Sequence, residues 1–127
     1  MAGKRVLSVG QCYADHGSIT RTLGQHFGAE VVAADSAEEA KDRLRREAFD
    51  LVLVNRVLDA NGHSGLDVIR QIKGDDESQK VPVMLVSNYD DAQEQAVGLG
   101  AERGFGKAAL GHPAMLGRLE RWLGPRK

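Results

Sequence analysis

The chain has 127 residues, 42% of them hydrophobic, enough for one compact domain that buries about two thirds of its unfolded surface. Its 17 basic and 18 acidic residues give a formal net charge of -1, which leaves no overall electrostatic drive toward nucleic acid or an anionic membrane. Cys12 is the only cysteine, so an intrachain disulfide is excluded, and no apolar run approaches the roughly 18 residues needed to cross a bilayer. A cytoplasmic setting is expected.

In chain order, Lys4 and Arg5 lead into a first apolar run, Val6-Leu-Ser-Val9, of strand length. The following loop, Gly10-Gln-Cys-Tyr-Ala-Asp15, holds a single glycine and so lacks the glycine-rich phosphate cradle of a nucleotide-binding enzyme. Asp15 is expected to cap a first helix whose inward stripe is Ile19, Leu23 and Phe27. Cys12 is expected to be a small buried residue, since neither a resolving cysteine nor a feature that lowers its pKa is evident. A second run, Val31-Val-Ala-Ala34, precedes Ser36-Ala-Glu-Glu39, a capping-box start for a helix with Ala37, Ala40, Leu44 and Ala48 inward.

The third run, Asp50-Leu-Val-Leu-Val-Asn55, ends in a polar amide. Beyond it Asn61-Gly62 marks a turn, and Ser64-Gly-Leu-Asp67 opens a helix with Leu66, Ile69 and Ile72 inward. Asp75, Asp76 and Glu77 read as a solvated loop before the fourth run, Pro82-Val-Met-Leu-Val-Ser87, which ends in a hydroxyl. Asp90 or Asp91 is expected to cap the next helix, with Ala92, Ala96 and Leu99 inward. A weaker strand around Phe105 leads to Lys107, and Pro113 suits the first turn of a last helix carrying Leu116, Leu119 and Leu123. The four histidines, His16, His26, His63 and His112, lack paired ligand spacing and are expected to face solvent. Asp15-His-Gly17 lacks the spacing of a cobalamin-binding motif.

Near-continuous apolar strands alternating with amphipathic helices predict an α/β fold with a parallel sheet covered on both faces. The expected architecture is a single flavodoxin-like (βα)₅ domain over residues 1–127, its core spanning about 4–123, with strand order 2-1-3-4-5. Strand ends then gather Asn55, Ser87 and Lys107 at one crevice, where ligands of open α/β sheets sit. Leu123-Gly-Pro-Arg-Lys127 follows the last helix without a linker, so no output domain is expected.

These landmarks together resemble the receiver domain of bacterial response regulators, the CheY-like proteins of two-component phosphorelays. The resemblance runs from Lys4 to about Leu123 and rests on Gly28, the strand Asp50 through Val54, Gly65-Leu-Asp-Val-Ile69, and Gly100-Ala101 followed by Lys107. It implies a site with an acidic pair for Mg²⁺ at Gly10 and Gln11, an acceptor aspartate at Asn55, a hydroxyl at Ser87 and a lysine at Lys107. Three carboxylates are then missing while the hydroxyl and the ammonium remain. A neutral amide is not the nucleophile an acyl phosphate needs. The expectation is a degenerate pseudo-receiver that is not an enzyme, binds Mg²⁺ weakly or not at all, has no other cofactor, and signals through protein contacts.

Lys107, lacking those carboxylates, is expected either to bind an anion together with Ser87 or to hydrogen-bond the Asn55 carbonyl. The segment from Arg56 to Ser64 is about two residues longer than the family's usual loop, and within it Asp59 is read as a solvated carboxylate that could otherwise swing toward the metal position. The family's aromatic switch position falls on Gly104, Phe105 is expected to face the core, and Ala108 replaces the family's proline after the lysine, so a trans bond is expected there. The resemblance places the partner surface on the fourth helix, fifth strand and fifth helix. Asp91, Glu94, Arg103, Arg118, Arg121 and Trp122 are the candidates there for binding a protein partner or a second copy. An anion or metabolite sensor, and a receiver phosphorylated on a displaced carboxylate, are the alternative functions.

Overall fold

The computed structural model describes residues 3–127, which fold around one sheet. The order is β1 (Arg5–Val9), α1 (Tyr13–Phe27), β2 (Glu30–Ala34), α2 (Ala37–Arg46), β3 (Leu51–Asn55), α3 (Gly65–Lys73), β4 (Val83–Val86), α4 (Asp90–Gly98), β5 (Glu102–Phe105), a 3₁₀ turn (Lys107–Ala109) and α5 (Pro113–Leu123). The strands run parallel in the order β2-β1-β3-β4-β5, the flavodoxin-like arrangement read from the sequence. Among the described residues, no helix is long and apolar enough to cross a membrane.

Strand periodicity divides the interior into two layers. Leu7, Val9, Val52, Val54, Val83 and Leu85 face α2, α3 and α4, where Ala40, Val68, Ile69, Ile72 and Ala96 meet them. Val6, Leu51, Leu53, Met84 and Phe105 face α1 and α5 and pack against Ile19, Leu23, Leu116 and Leu119. Burial on both faces explains the lack of polar alternation in the central strands. Phe105, 6% exposed, takes its expected core position.

The helix ends are less regular than the sequence suggests. The capping box at α2 forms, with Ser36 Oγ accepting from Glu39 N–H at 3.1 Å, but Glu39 returns its carboxylate to Asp35 N–H at 2.7 Å. That helix ends at Arg46, so Ala48 lies outside it, exposed rather than inward. In α3, Val68 is fully buried and Leu66 only partly so, the reverse of the emphasis placed on Leu66. α4 starts from Tyr89 without a side-chain cap, so neither Asp90 nor Asp91 fills that role. Leu99 is its C-terminal cap residue and is partly buried. At α5, His112 Nδ1 accepts from Ala114 N–H at 3.2 Å, so this histidine has a capping role the sequence did not suggest. His16 is half-buried on α1, its Nδ1 enclosed and without a partner among the described residues, and His26 is also half-buried, so only His63 and His112 are exposed as expected.

The register between β4 and β5 slips between Met84 and Val86. Gln93 of α4, 3% exposed, fills the gap by donating to Leu85 O at 2.9 Å and Ser87 O at 3.1 Å while accepting from Gly104 N–H at 2.8 Å. One buried amide thus replaces the missing rungs of the ladder. Gln93→Ala is expected to lower stability by about 2 to 4 kcal/mol in urea denaturation, because it strands two carbonyls and one N–H away from water.

Candidate functional site

Parallel strands bring the C-terminal ends of β1, β3 and β4 to one edge, where the loops after them and the turn after β5 form a crevice. Asn55 ends β3 and is half-buried. Its Nδ2 donates to Val57 O at 2.8 Å and to Gly10 O at 3.1 Å, which ties β1 to β3 and to the loop that follows β3. Both carbonyls demand a donor, so the nitrogen rather than the oxygen of this amide must face them. An aspartate here would set a carboxylate oxygen against two carbonyl oxygens.

Gly10 is held by the same network. It adopts φ +77°, a left-handed conformation that side chains disfavour, and a Cβ there would overlap Leu58 Cγ. Leu58 is only 1% exposed and fills the space beside β1. The longer loop delivers it. Leu58 N–H donates to His63 O at 2.9 Å, Gly62 N–H returns to Leu58 O at 2.8 Å, and Val57 bridges Ser64 in an antiparallel contact. Asn61 Oδ1 accepts from His63 N–H at 2.9 Å, which completes the turn announced by Asn61-Gly62. Asp59 is exposed, as expected of a loop carboxylate, and its backbone N–H makes a further bond to Gly10 O at 2.9 Å. Gln11 is 9% exposed, and neither atom of its amide has a partner among the described residues.

The bond from Lys107 to the Asn55 carbonyl, one of the two expectations set for it, does not form among the described residues. Lys107 opens the 3₁₀ turn rather than ending a strand, and its Nζ pairs with Asp15 Oδ2 at 2.6 Å. It therefore neither lacks a carboxylate nor bonds Asn55. Asp15 is available because α1 begins one turn earlier than read from the sequence, with Cys12 as the N-cap. Cys12 is accordingly half-buried, and its Sγ accepts from Asp15 N–H at 3.4 Å. The hydrogen bond from Lys107 holds the Asp15 carboxyl below its ordinary value, against an opposing desolvation effect.

Ser87, 8% exposed, uses its Oγ to accept from Tyr89 N–H at 3.1 Å. Asn88 Oδ1 accepts from Ala108 N–H at 3.3 Å, so the β4–α4 loop holds the turn that carries Lys107. No peptide bond among the described residues is cis, in line with the trans bond expected at Ala108. A concavity of about 280 Å³ lies between Asn55, Ser87, Tyr89 and Lys107, and the Arg56 guanidinium stacks 5.1 Å from the Tyr89 ring centroid at its rim. Among the described residues, no group of three or more His, Cys, Asp or Glu side chains converges as a metal cage.

On the α4–β5–α5 face, Asp91, Glu94, Arg103, Arg118 and Arg121 are exposed and Trp122 is half-buried. Arg103 pairs with Asp90 at 2.7 Å and Arg121 with Glu102 at 3.8 Å, while the Arg121 guanidinium lies 5.2 Å from the Trp122 ring centroid. Arg118 donates to Gly104 O at 2.8 Å. Gln93, Leu58 and Asp15 are the site residues missed in the sequence. Only the extra loop length near Leu58 offered a signal.

The lowered Asp15 pKa has a definite linkage sign. A depressed folded pKa stabilises the protein above the unfolded value and ceases to do so as pH falls through the folded value. Asp15→Asn is therefore expected to be less stable than wild type at neutral pH, by at most about 1 kcal/mol for a pair this open to solvent. The difference should shrink and then vanish as acid protonates the Asp15 carboxyl, below the ordinary carboxylate range, as followed by thermal melts across pH.

The sequence profile described as "Response regulator receiver domain" matches residues 15–109. Sensor protein GacS of Pseudomonas syringae pv. syringae is 28% identical over 78 residues, covering 61% of this chain and 9% of that protein. The chain thus spans a small part of that relative. Among solved structures, a response regulator from Chloroflexus aurantiacus described as putative superposes with a TM-score of 0.83 at 18% identity, covering 96% of this chain and 98% of that one. The receiver domain of a Pseudomonas aeruginosa sensor histidine kinase, which coordinates magnesium in its cleft, gives 0.73 at 22% identity, with coverages of 97% and 99%. The match over three quarters of the chain, on a sheet of this order, places the protein in the response regulator receiver domain family of two-component signalling.

Proposed function

We propose that this receiver works by protein contact, without aspartyl phosphorylation and without magnesium, and that it catalyses no reaction of its own. The observation that carries this reading is the Asn55 amide, whose nitrogen already occupies Gly10 O and Val57 O. A hard cation prefers oxygen ligands with several carboxylates among them. Here the acidic-pair positions hold Gly10, closed by Leu58, and the amide of Gln11, so the donor set does not fit Mg²⁺. The acceptor position holds an amide that is not a phosphoryl nucleophile. Asp15 neutralises Lys107, which removes the charge argument for an anion sensor at Ser87 and Lys107.

The working surface we assign is the α4–β5–α5 face, with Asp91, Glu94, Arg103, Arg118, Arg121 and Trp122 as its exposed or half-exposed groups. A foreign protein or a second copy of the chain would dock there. Opposite charges along α4 and α5 suit an orientation-specific contact.

Incubation with acetyl phosphate and Mg²⁺, read by intact mass, is expected to give no phosphoryl adduct. A gain of one phosphoryl group on Asp15, Asp59 or another acid would overturn the reading. Asn55→Asp is expected neither to restore phosphorylation nor to make melting temperature depend on Mg²⁺. It should cost about 1 to 3 kcal/mol in urea denaturation, because a carboxylate replaces the donor facing two carbonyls.

A further inference from the structure

Helices usually start on serine, threonine, aspartate or asparagine, but α5 starts on a histidine. His112 has extended backbone, φ -69° and ψ 142°, and joins two elements. Its N–H donates to Ala109 O at 2.9 Å, which ties it to the 3₁₀ turn, and its carbonyl accepts from Leu116 N–H at 3.0 Å, the first bond of the helix. Pro113 has no N–H, so Ala114 carries the first free donor of α5. That donor goes to His112 Nδ1 at 3.2 Å.

A ring nitrogen that accepts an N–H carries no proton of its own, so this bond requires the neutral imidazole with its proton on Nε2. Protonation turns Nδ1 into a donor. It then faces another donor, and the cationic ring sits at the positive end of the helix dipole. The usual capping side chains undergo no such reversal between pH 5 and 8, the range in which histidine changes charge. The surroundings offer an imidazolium no free counter-charge. His112 is exposed and shares a groove with Asp90 of α4, Arg103 of β5 and Arg118 of α5, and Lys107 opens the turn before it. Asp90, the one carboxylate among these, is paired with Arg103 at 2.7 Å, and Lys107 is paired with Asp15. Ser87 and Asn88, which reach the groove from the β4–α4 loop, are uncharged.

We infer that His112 makes the start of α5 a pH-sensitive joint, closed while the imidazole is neutral and loosened when the ring takes up a proton in mild acid. Only the first turn is affected. Met115 and Leu116 are buried in the layer that holds Phe105, so the body of the helix stays docked. Loosening frees the Ala114 N–H and slackens the link from His112 to Ala109, at the end of the turn that carries Lys107. Proton concentration thereby changes the order of this turn without any phosphoryl group.

The test compares wild type with His112→Asn, which keeps an acceptor that does not titrate, and with His112→Ala, which has none. Nitrogen-edited NMR from pH 8 to pH 5 follows the His112 ring and the Ala114 amide, and thermal melts cover the same range. At pH 8 the ring proton is expected on Nε2. The Ala114 amide resonance should move with the midpoint of the His112 ring in wild type and stay in place in both variants. Relative to His112→Asn, the wild-type melting temperature should fall by about 2 to 4 °C between pH 8 and pH 5, down to that of His112→Ala or below it. His16, His26 and His63 are present in all three proteins and cancel from these differences. A proton on Nδ1 at pH 8 would overturn the proposal. So would an Ala114 amide that moves equally in His112→Asn or stays fixed in wild type, or melting temperatures of wild type and His112→Asn that remain parallel across pH.

Discussion

The two hydrogen bonds from Asn55 Nδ2 set the character of the crevice. They place a neutral donor where strand ends and loop carbonyls converge, and they join β1, β3 and the β3–α3 loop through one side chain. Gly10 O also accepts from Asp59 N–H, so a single carbonyl anchors both the amide and the loop. Leu58 is then held against Gly10, and the position beside β1 has no room for a side chain. The crevice is thus built around a hydrogen-bonded amide and an apolar plug.

The remaining charge is handled locally. Lys107 and Asp15 pair across the crevice and link the first turn of α1 to the turn after β5. Asn88 holds the same turn from the β4–α4 loop, and Gln93 bridges β4 to β5 beneath it. The backbone segment from Gly104 to Ala109 is thus fixed by side chains from the neighbouring loop and helix.

Much of the fold was legible because parallel strands buried on both faces leave long apolar runs, as Leu51-Val-Leu-Val54 and Val83-Met-Leu-Val86 do. The capping box at Ser36 was legible for a similar reason, since its pattern is local. Asn55, Ser87 and Lys107 could be placed together by topology alone. What the sequence hid depends on contacts between distant segments. An earlier start of α1 turned Asp15 from an expected cap into the partner of Lys107. Leu58 looked like an ordinary loop residue until the loop folded back onto Gly10. The reason for glycine at 104 lies in the carbonyl of Leu85, which sequence patterning does not reveal.

The most direct measurement follows the side-chain NH₂ of Asn55 and the amides of Gly10 and Val57 by nitrogen-edited NMR during a MgCl₂ titration. The account predicts slowly exchanging Asn55 side-chain protons whose resonances stay in place at millimolar Mg²⁺. Saturable shifts of Asn55 and Gly10, with faster exchange of the Asn55 protons, would mean that the cation displaces the amide and would contradict it.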